Sequence, residues 1–177
     1  MRNFKLGFFI GLAMLTGIAQ AAAPAAKSDQ QQIAEAQSAA PASISHDATI
    51  VSMDAAGKMR TLKQGTNGWT CMPGDYPMCT DPNGWDWMLA YMAHKPPADK
   101  VGFMYMLKGA HDPSNTDPYA DAPAAGGHWI DTGPHIMVLG PSVKLMTGYV
   151  KGPDPDTSKP YVMWSGTLYE HLMIPVK

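Results

Sequence analysis

The sequence has no excess of basic residues, and beyond residue 21 it has no apolar run long enough to cross a membrane. Its 177 residues include 15 acidic and 13 basic side chains, for a formal net charge of −2. A mildly acidic chain does not favour nucleic acid or an anionic membrane as partner. Later apolar runs, such as residues 101–107, have the length of a strand, whereas a membrane span needs about 20 apolar residues. The sequence identifies no other partner.

Recognised catalytic motifs are also missing. The chain contains no Gly-x-Ser-x-Gly elbow, no His-Glu-x-x-His pair and no phosphate-binding glycine loop. By default we therefore predict a protein that is not an enzyme. One alternative stays open, in which His111, His128 and His135 line a cleft and act catalytically.

The N-terminus has the layout of a cleavable secretory signal. Arg2 and Lys5 precede an uncharged apolar run at residues 6–18, and Ala19-Gln20-Ala21 offers small residues where signal peptidase reads them. We predict a signal peptide over residues 1–21, with cleavage after Ala21. The rest of the chain is then expected in the periplasm or outside the cell.

Composition divides the remainder into a linker and one domain. Residues 22–45 are mostly Ala, Gln, Ser and Pro, with few large apolar groups, which predicts a flexible linker. Residues 46–177 have the size of a single globular domain. We predict an α+β fold with a mainly antiparallel sheet of five to seven strands.

The strongest helix signal covers residues 82–94. Asp81 can cap the free N–H groups and Pro82 suits the first helical position. The helical spacing of Trp85, Met88, Leu89 and Met92 predicts that these side chains face the core.

The sequence has only two cysteines, Cys71 and Cys79. In an exported protein such a close pair favours one structural disulfide. A metal or redox pair is the alternative, but the spacing differs from the Cys-x-x-Cys of those sites.

The most specific chemical pattern is a His-x-Met pair that occurs twice, at His135 and Met137 and again at His171 and Met173. Residues two apart on a strand share a face, so each pair sets an imidazole beside a thioether. Both groups bind copper, and thioether favours Cu(I). If the strands are aligned neighbours, the four side chains could form one copper site, with Met163, Trp164 and Tyr169 nearby. The alternative is a metal-free interaction module in which the methionine and aromatic side chains fill the core and the long loops meet a partner.

A second metal hypothesis concerns the loop at residues 111–121. Its oxygen donors Asp112, Asn115, Asp117 and Asp121 could hold Ca²⁺. Their spacing is not that of an EF-hand loop, and the same residues are common in turns.

Several strings in the chain resemble a family of small, uncharacterised exported bacterial proteins over residues 46–176. They are TNGWTC at 66–71, PMC at 77–79, HKPP at 94–97, SNTDPY at 114–119, GPHIMV at 133–138 and YVMW at 161–164. The resemblance implies export from a bacterial cell and implies no activity. From the residues themselves we expect a protein that binds a small ligand or a copper-type metal.

Overall fold

The computed structural model describes residues 26–111, 114–123 and 129–176. Its strands are β1 (Thr49–Met53), β2 (Met59–Lys63), β3 (Thr70–Met72), β4 (Met78–Thr80), β5 (Gly102–Met106), β6 (His135–Leu139), β7 (Tyr161–Met163) and β8 (His171–Pro175). Its helices are α1 (Asp29–Gln37), α2 (Ala42–Ser45), α3 (Pro82–Met92) and a 3-10 helix (Pro141–Leu145). The predicted signal peptide, residues 1–21, lies outside the described residues.

All of these strands form one mixed sheet in the order β2-β1-β3-β4-β5-β6-β8-β7. Neighbouring strands are antiparallel except β1 and β3, which are parallel. The predicted α+β class with a dominant sheet is confirmed, but the sheet has eight strands rather than five to seven. The additional strands are β3 and β4. Three residues each are too few to give a readable alternation of apolar and polar side chains.

The two cysteines lie opposite each other in this short hairpin and form the predicted disulfide. Cys71 on β3 pairs with Cys79 on β4, and their Cα atoms are 4.0 Å apart. Both residues are fully buried. The crosslink therefore fixes the hairpin in the middle of the sheet.

Residues 26–45 differ from the predicted flexible linker, because they contain α1 and α2 packed on the sheet. Ser28 caps α1: its side chain accepts from the Gln31 backbone N–H, and the Gln31 side chain accepts in return from that of Ser28. Ala36 and Ala39 are fully buried against the disulfide hairpin. Alanine loses no side-chain entropy on burial and lets the helix backbone come close, so this segment packs without large apolar groups.

Helix α3 begins as predicted and ends two residues early. The Asp81 side chain accepts a hydrogen bond from the backbone N–H of Gly84 at 2.7 Å, and Pro82 is the first helical residue. The buried positions are Gly84, Trp87 and Met88, whereas Leu89 and Met92 are exposed, contrary to the predicted core face. A Cβ at Gly84 would lie 2.7 Å from the carbonyl oxygen of Phe103 on β5. This close approach sets the rotation of the helix.

None of the described helices is long and apolar enough to cross a membrane.

Alternation along the strands gives the sheet two faces of different composition. The methionine face lies under α3, and its buried sheet residues are Val51, Met72, Met104, Met106, Met137, Leu139, Tyr161, Met163 and Met173. The disulfide face carries Ile50, Cys71 and Cys79 under α1, and Val138, Val162 and Leu172 beside the 3-10 helix.

Candidate soft-metal site on the methionine face

Strands β6 and β8 are antiparallel neighbours and carry the four predicted copper ligands. Met137 pairs directly with Met173, so two thioether side chains lie across from each other. His135 and His171 lie at opposite ends of this pairing, each two residues from its own methionine. All four side chains are therefore on the methionine face.

The two histidines are too far apart to share one ion. Four residues of register separate their positions, or about 13 Å along the strands. Each imidazole is also held at the outer end of its strand, because Nδ1 hydrogen-bonds to the carbonyl oxygen two residues earlier, at Gly133 for His135 and at Tyr169 for His171. Metal bonds to imidazole are only about 2.0–2.1 Å long. The four residues therefore form two His–Met pairs, not the single four-ligand site that the sequence predicted.

His171 has a buried ring nitrogen with no partner. Its Nδ1 lies 2.8 Å from the carbonyl oxygen of Tyr169, which can only accept, so Nδ1 carries the proton. Nε2 then has a free lone pair, and it is buried without a hydrogen-bond partner in the part of the chain that the structure describes. The Nδ1 contact is the outer-shell arrangement that orients metal-binding histidines.

Burial keeps His171 neutral. It lowers the pKa of this imidazole to about 4, although the hydrogen bond to Tyr169 opposes the change. Among nearby charges, His135 lowers the pKa further and Glu170 raises it. The lone pair on Nε2 is therefore unprotonated well below neutral pH, and protons do not compete with a metal ion there.

Aromatic rings pack against the His171 ring. It contacts Trp164 and Trp87 edge to face, with centroids at 4.8 and 5.6 Å. Trp164 in turn stacks on Tyr91 at 5.3 Å. His171 therefore lies in a buried environment of thioether and aromatic groups, in which electrostatic interactions are stronger than in water.

His135 repeats the burial and the Nδ1 contact of His171 at the other end. It is 3% exposed, and its Nδ1 is 2.7 Å from the Gly133 carbonyl oxygen. Burial lowers the pKa of His135, against an opposing contribution from this hydrogen bond.

A second thioether lies directly across from each histidine. Met163 on β7 pairs with His171, and Met106 on β5 pairs with His135. Side chains paired this way have Cβ atoms about 4.5–5.5 Å apart. Sequence reasoning missed Met106, although Met104 and Met106 show the same two-residue spacing as the His-x-Met pairs.

Two of the proposed calcium ligands make hydrogen bonds that hold the loop. The Asn115 side-chain NH2 group donates to the carbonyl oxygens of Gly152 and Val162, which ties the loop to β7, while its Oδ1 has no partner among the described residues. An Asp117 side-chain oxygen accepts from the Tyr119 backbone N–H at 2.9 Å, as in an Asx turn. Asp121 is exposed, and Asp112 lies outside the described residues.

The three histidines of the enzyme hypothesis lie in different surroundings. His111 is exposed and pairs with Asp131 at 2.7 Å. His135 is buried on the methionine face, and His128 lies outside the described residues. Within residues 26–111, 114–123 and 129–176, no three His, Cys, Asp or Glu side chains come together as a metal cluster. A metal site on this face must therefore be argued from methionine sulfurs.

Comparisons of the chain with protein-family models, with curated proteins and with solved structures find no match.

Proposed function

We propose that this is an exported copper-binding protein that holds Cu(I) at His171, Met163 and Met173. The observation that carries the proposal is the buried, unprotonated and unpartnered Nε2 of His171 on a face rich in thioethers. An unpaired buried polar atom is destabilising by about 1–3 kcal/mol, so its retention needs a reason, and a ligand is one.

The surroundings of this nitrogen favour a soft, singly charged ion. Met163 lies across from His171, and Met173 lies two residues along the same strand. Thioether and neutral imidazole are ligands that select Cu(I) over hard cations. The cost of burying an ion rises steeply with its charge, so a monovalent ion suits a buried ligand set that contains no carboxylate.

Export is the second part of the proposal. It is supported by the signal-like residues 1–21, by the disulfide and by the resemblance to exported bacterial proteins. A disulfide persists in the periplasm and outside the cell, where the protein would meet copper ions that are not held by cytosolic thiols.

Methyl NMR of the apo protein tests the metal site locally. The methionine methyl signals would be assigned by Met→Leu substitutions, which conserve volume. Anaerobic addition of Cu(I) should shift the Met163 and Met173 signals. The Cu(I) affinity measured from these shifts should fall at least about 100-fold in His171→Phe, since even outer-shell changes weaken metal binding about 10–100-fold. Met146, packed on the disulfide face, is the matched control and should not shift. Silent Met163 and Met173 signals, or a full response in His171→Phe, would reject the site.

The metal-free interaction module remains the second candidate, because the disulfide face has an uncovered apolar region. Phe103 on β5 is 43% exposed, and Val101 beside it is 40% exposed. Phe103→Ser should abolish partner binding under this alternative while leaving the response of the methyl signals to Cu(I) intact.

A further inference from the structure

The other half of the predicted copper site, around His135, has the same set of ligand types as the half around His171. His135 has Met106 across from it on β5 and Met137 two residues along β6. His171 has Met163 across from it on β7 and Met173 two residues along β8. Each end of the methionine face therefore presents one imidazole, one thioether on the same strand and one on the neighbouring strand.

The His135 end also meets the geometric conditions for a ligand group. The ring is nearly fully buried, and its Nδ1 donates to the Gly133 carbonyl oxygen. In the neutral ring this leaves the lone pair on Nε2. Met106 and Met137 are 8% and 6% exposed, so both thioethers lie in the same water-poor layer.

One ion cannot use both ends. The histidines are four residues of register apart, and each ring is tied to a carbonyl on its far side from the Met137–Met173 pair. The midpoint between β5 and β6 is two strand spacings from the midpoint between β8 and β7. The centres of the two sets are also displaced by about two residues, or roughly 7 Å, along the strands, and with two spacings of about 4.8 Å this puts them roughly 12 Å apart.

We infer that the methionine face binds two Cu(I) ions, the second held by His135, Met106 and Met137. This inference rests on the proposed function, since it assigns the same metal to a second set of residues. The facing pair of Met137 and Met173 lies between the two sites, and each site takes one of the two thioethers.

Charge repulsion sets the expected order of binding. Two unit charges roughly 12 Å apart, at an effective dielectric constant of about 20, repel enough to weaken the second binding event about tenfold. The two ions should therefore bind with separable affinities, rather than as one cooperative step.

Native mass spectrometry under anaerobic conditions, with Cu(I) supplied as a chelator complex, counts the ions directly. The full chain should bind two ions. His135→Phe and His171→Phe should each bind one, and the double variant should bind none. Met106→Leu, which conserves volume, should lower affinity for one ion only, and it keeps the test usable if His135→Phe does not fold. Met146→Leu should still bind two.

The outcomes separate this inference from the proposed function. One ion that survives His135→Phe but not His171→Phe would overturn the second site and leave the first intact. One ion that either substitution abolishes would mean a single shared site, against the geometry above. Two ions that both single variants retain would reject both histidines as ligands. Absence of any bound ion would reject the proposed function, and the second site with it.

Discussion

Each face of the sheet carries buried clusters, but these are built from different kinds of side chain. The disulfide face is filled by alanine, β-branched and leucine side chains and by the crosslink. The methionine face contains seven buried and two partly buried methionines of the chain's 14. It also contains four buried polar side-chain atoms with no hydrogen-bond partner among the described residues, in Thr80, Trp87, Tyr161 and His171, whereas the helices over the disulfide face contain two, in Glu35 and Ser142.

Packing alone accounts for the first face but not for the second. Each unpaired buried polar atom is destabilising by about 1–3 kcal/mol, and methionine specifies a core less firmly than branched side chains do. A sheet selected only for stability would not place its methionines, and most of its unpaired polar atoms, on one side. A ligand site would explain this difference between the faces, because thioethers and a free imidazole lone pair can bind a metal ion but add little stability to a core.

The largest effect we expect is a loss of folding stability in acid, caused by the buried imidazole on the methionine face. The pKa of His171 is about 4 in the fold, against 6.5 for an unburied imidazole. Between these values the unfolded chain binds more protons, so stability is full above pH 6.5 and is lost as the pH falls towards 4. The loss should be about 3 kcal/mol, since each pKa unit corresponds to about 1.4 kcal/mol. His135 adds in the same direction.

Urea unfolding at several pH values measures this loss. His171→Phe should remove most of the pH dependence between 6.5 and 4, and Met163→Leu, which keeps the imidazole, should preserve it. Equal slopes in wild type and His171→Phe would mean that the methionine face does not hold a neutral buried imidazole, and the contrast between the faces would weaken.

Removal of the crosslink tests the other face. Cys71→Ala combined with Cys79→Ala should lower the free energy of unfolding by about 2–3 kcal/mol, because the disulfide closes a short loop and both sulfurs are fully buried. Urea titration measures the loss. Cu(I) binding of the folded double variant should be unchanged, since both cysteines lie on the face away from the proposed ligands. A parallel loss of Cu(I) affinity would show that the faces are not independent.

Local signals in the sequence predicted the elements that depend on few distant contacts. Asp81 and Pro82 begin α3 through a side-chain cap and a proline at the first helical position. The close cysteine pair predicted the disulfide. The rotation of α3 was not predictable, because it depends on the contact of Gly84 with β5. The good helix formers at residues 30–37 are compatible with a short helix, but the packing of α1 was not predicted, because an alanine-rich segment shows its packing only once the sheet surface beneath it is known.

The same limit applies to the candidate site. Two-residue spacing correctly put each histidine on the same face as its methionine, since that is a property of one strand. Whether the two histidines converge depends on the register between β6 and β8, which pairs Met137 with Met173 and moves His135 and His171 to opposite ends. Register is set by long-range packing, so the division into two ligand sets could be read only from the structure.

Gly102→Ala should disturb the contact that holds α3 over the methionine face. A Cβ there would lie 2.7 Å from the Gly84 Cα and would also meet the Gly84 nitrogen. Helix α3 must then move away from β5, which should lower the free energy of unfolding by about 1–3 kcal/mol. Gly152→Ala, with open space around its Cβ, is the matched control and should change stability by no more than about 0.5 kcal/mol. Equal losses of unfolding free energy in the two variants, measured by urea titration, would contradict the close packing of α3.

The smallest expected effect concerns α1. Its stability decides whether the disulfide face is covered by a packed helix or only by a flexible linker. Ser28→Ala removes the side chain that caps α1, and such a loss typically destabilises by about 1 kcal/mol if the helix is part of the folded unit. Urea unfolding would measure the change, with the exposed Ser43→Ala as the matched control. Amide hydrogen exchange should become faster in α1 and stay constant in β6 and β8. If Ser28→Ala changes neither stability nor exchange, α1 does not cover the sheet in solution, and the disulfide face would lose part of its cover, because α1 supplies Ala36 to the cluster around Cys71 and Cys79.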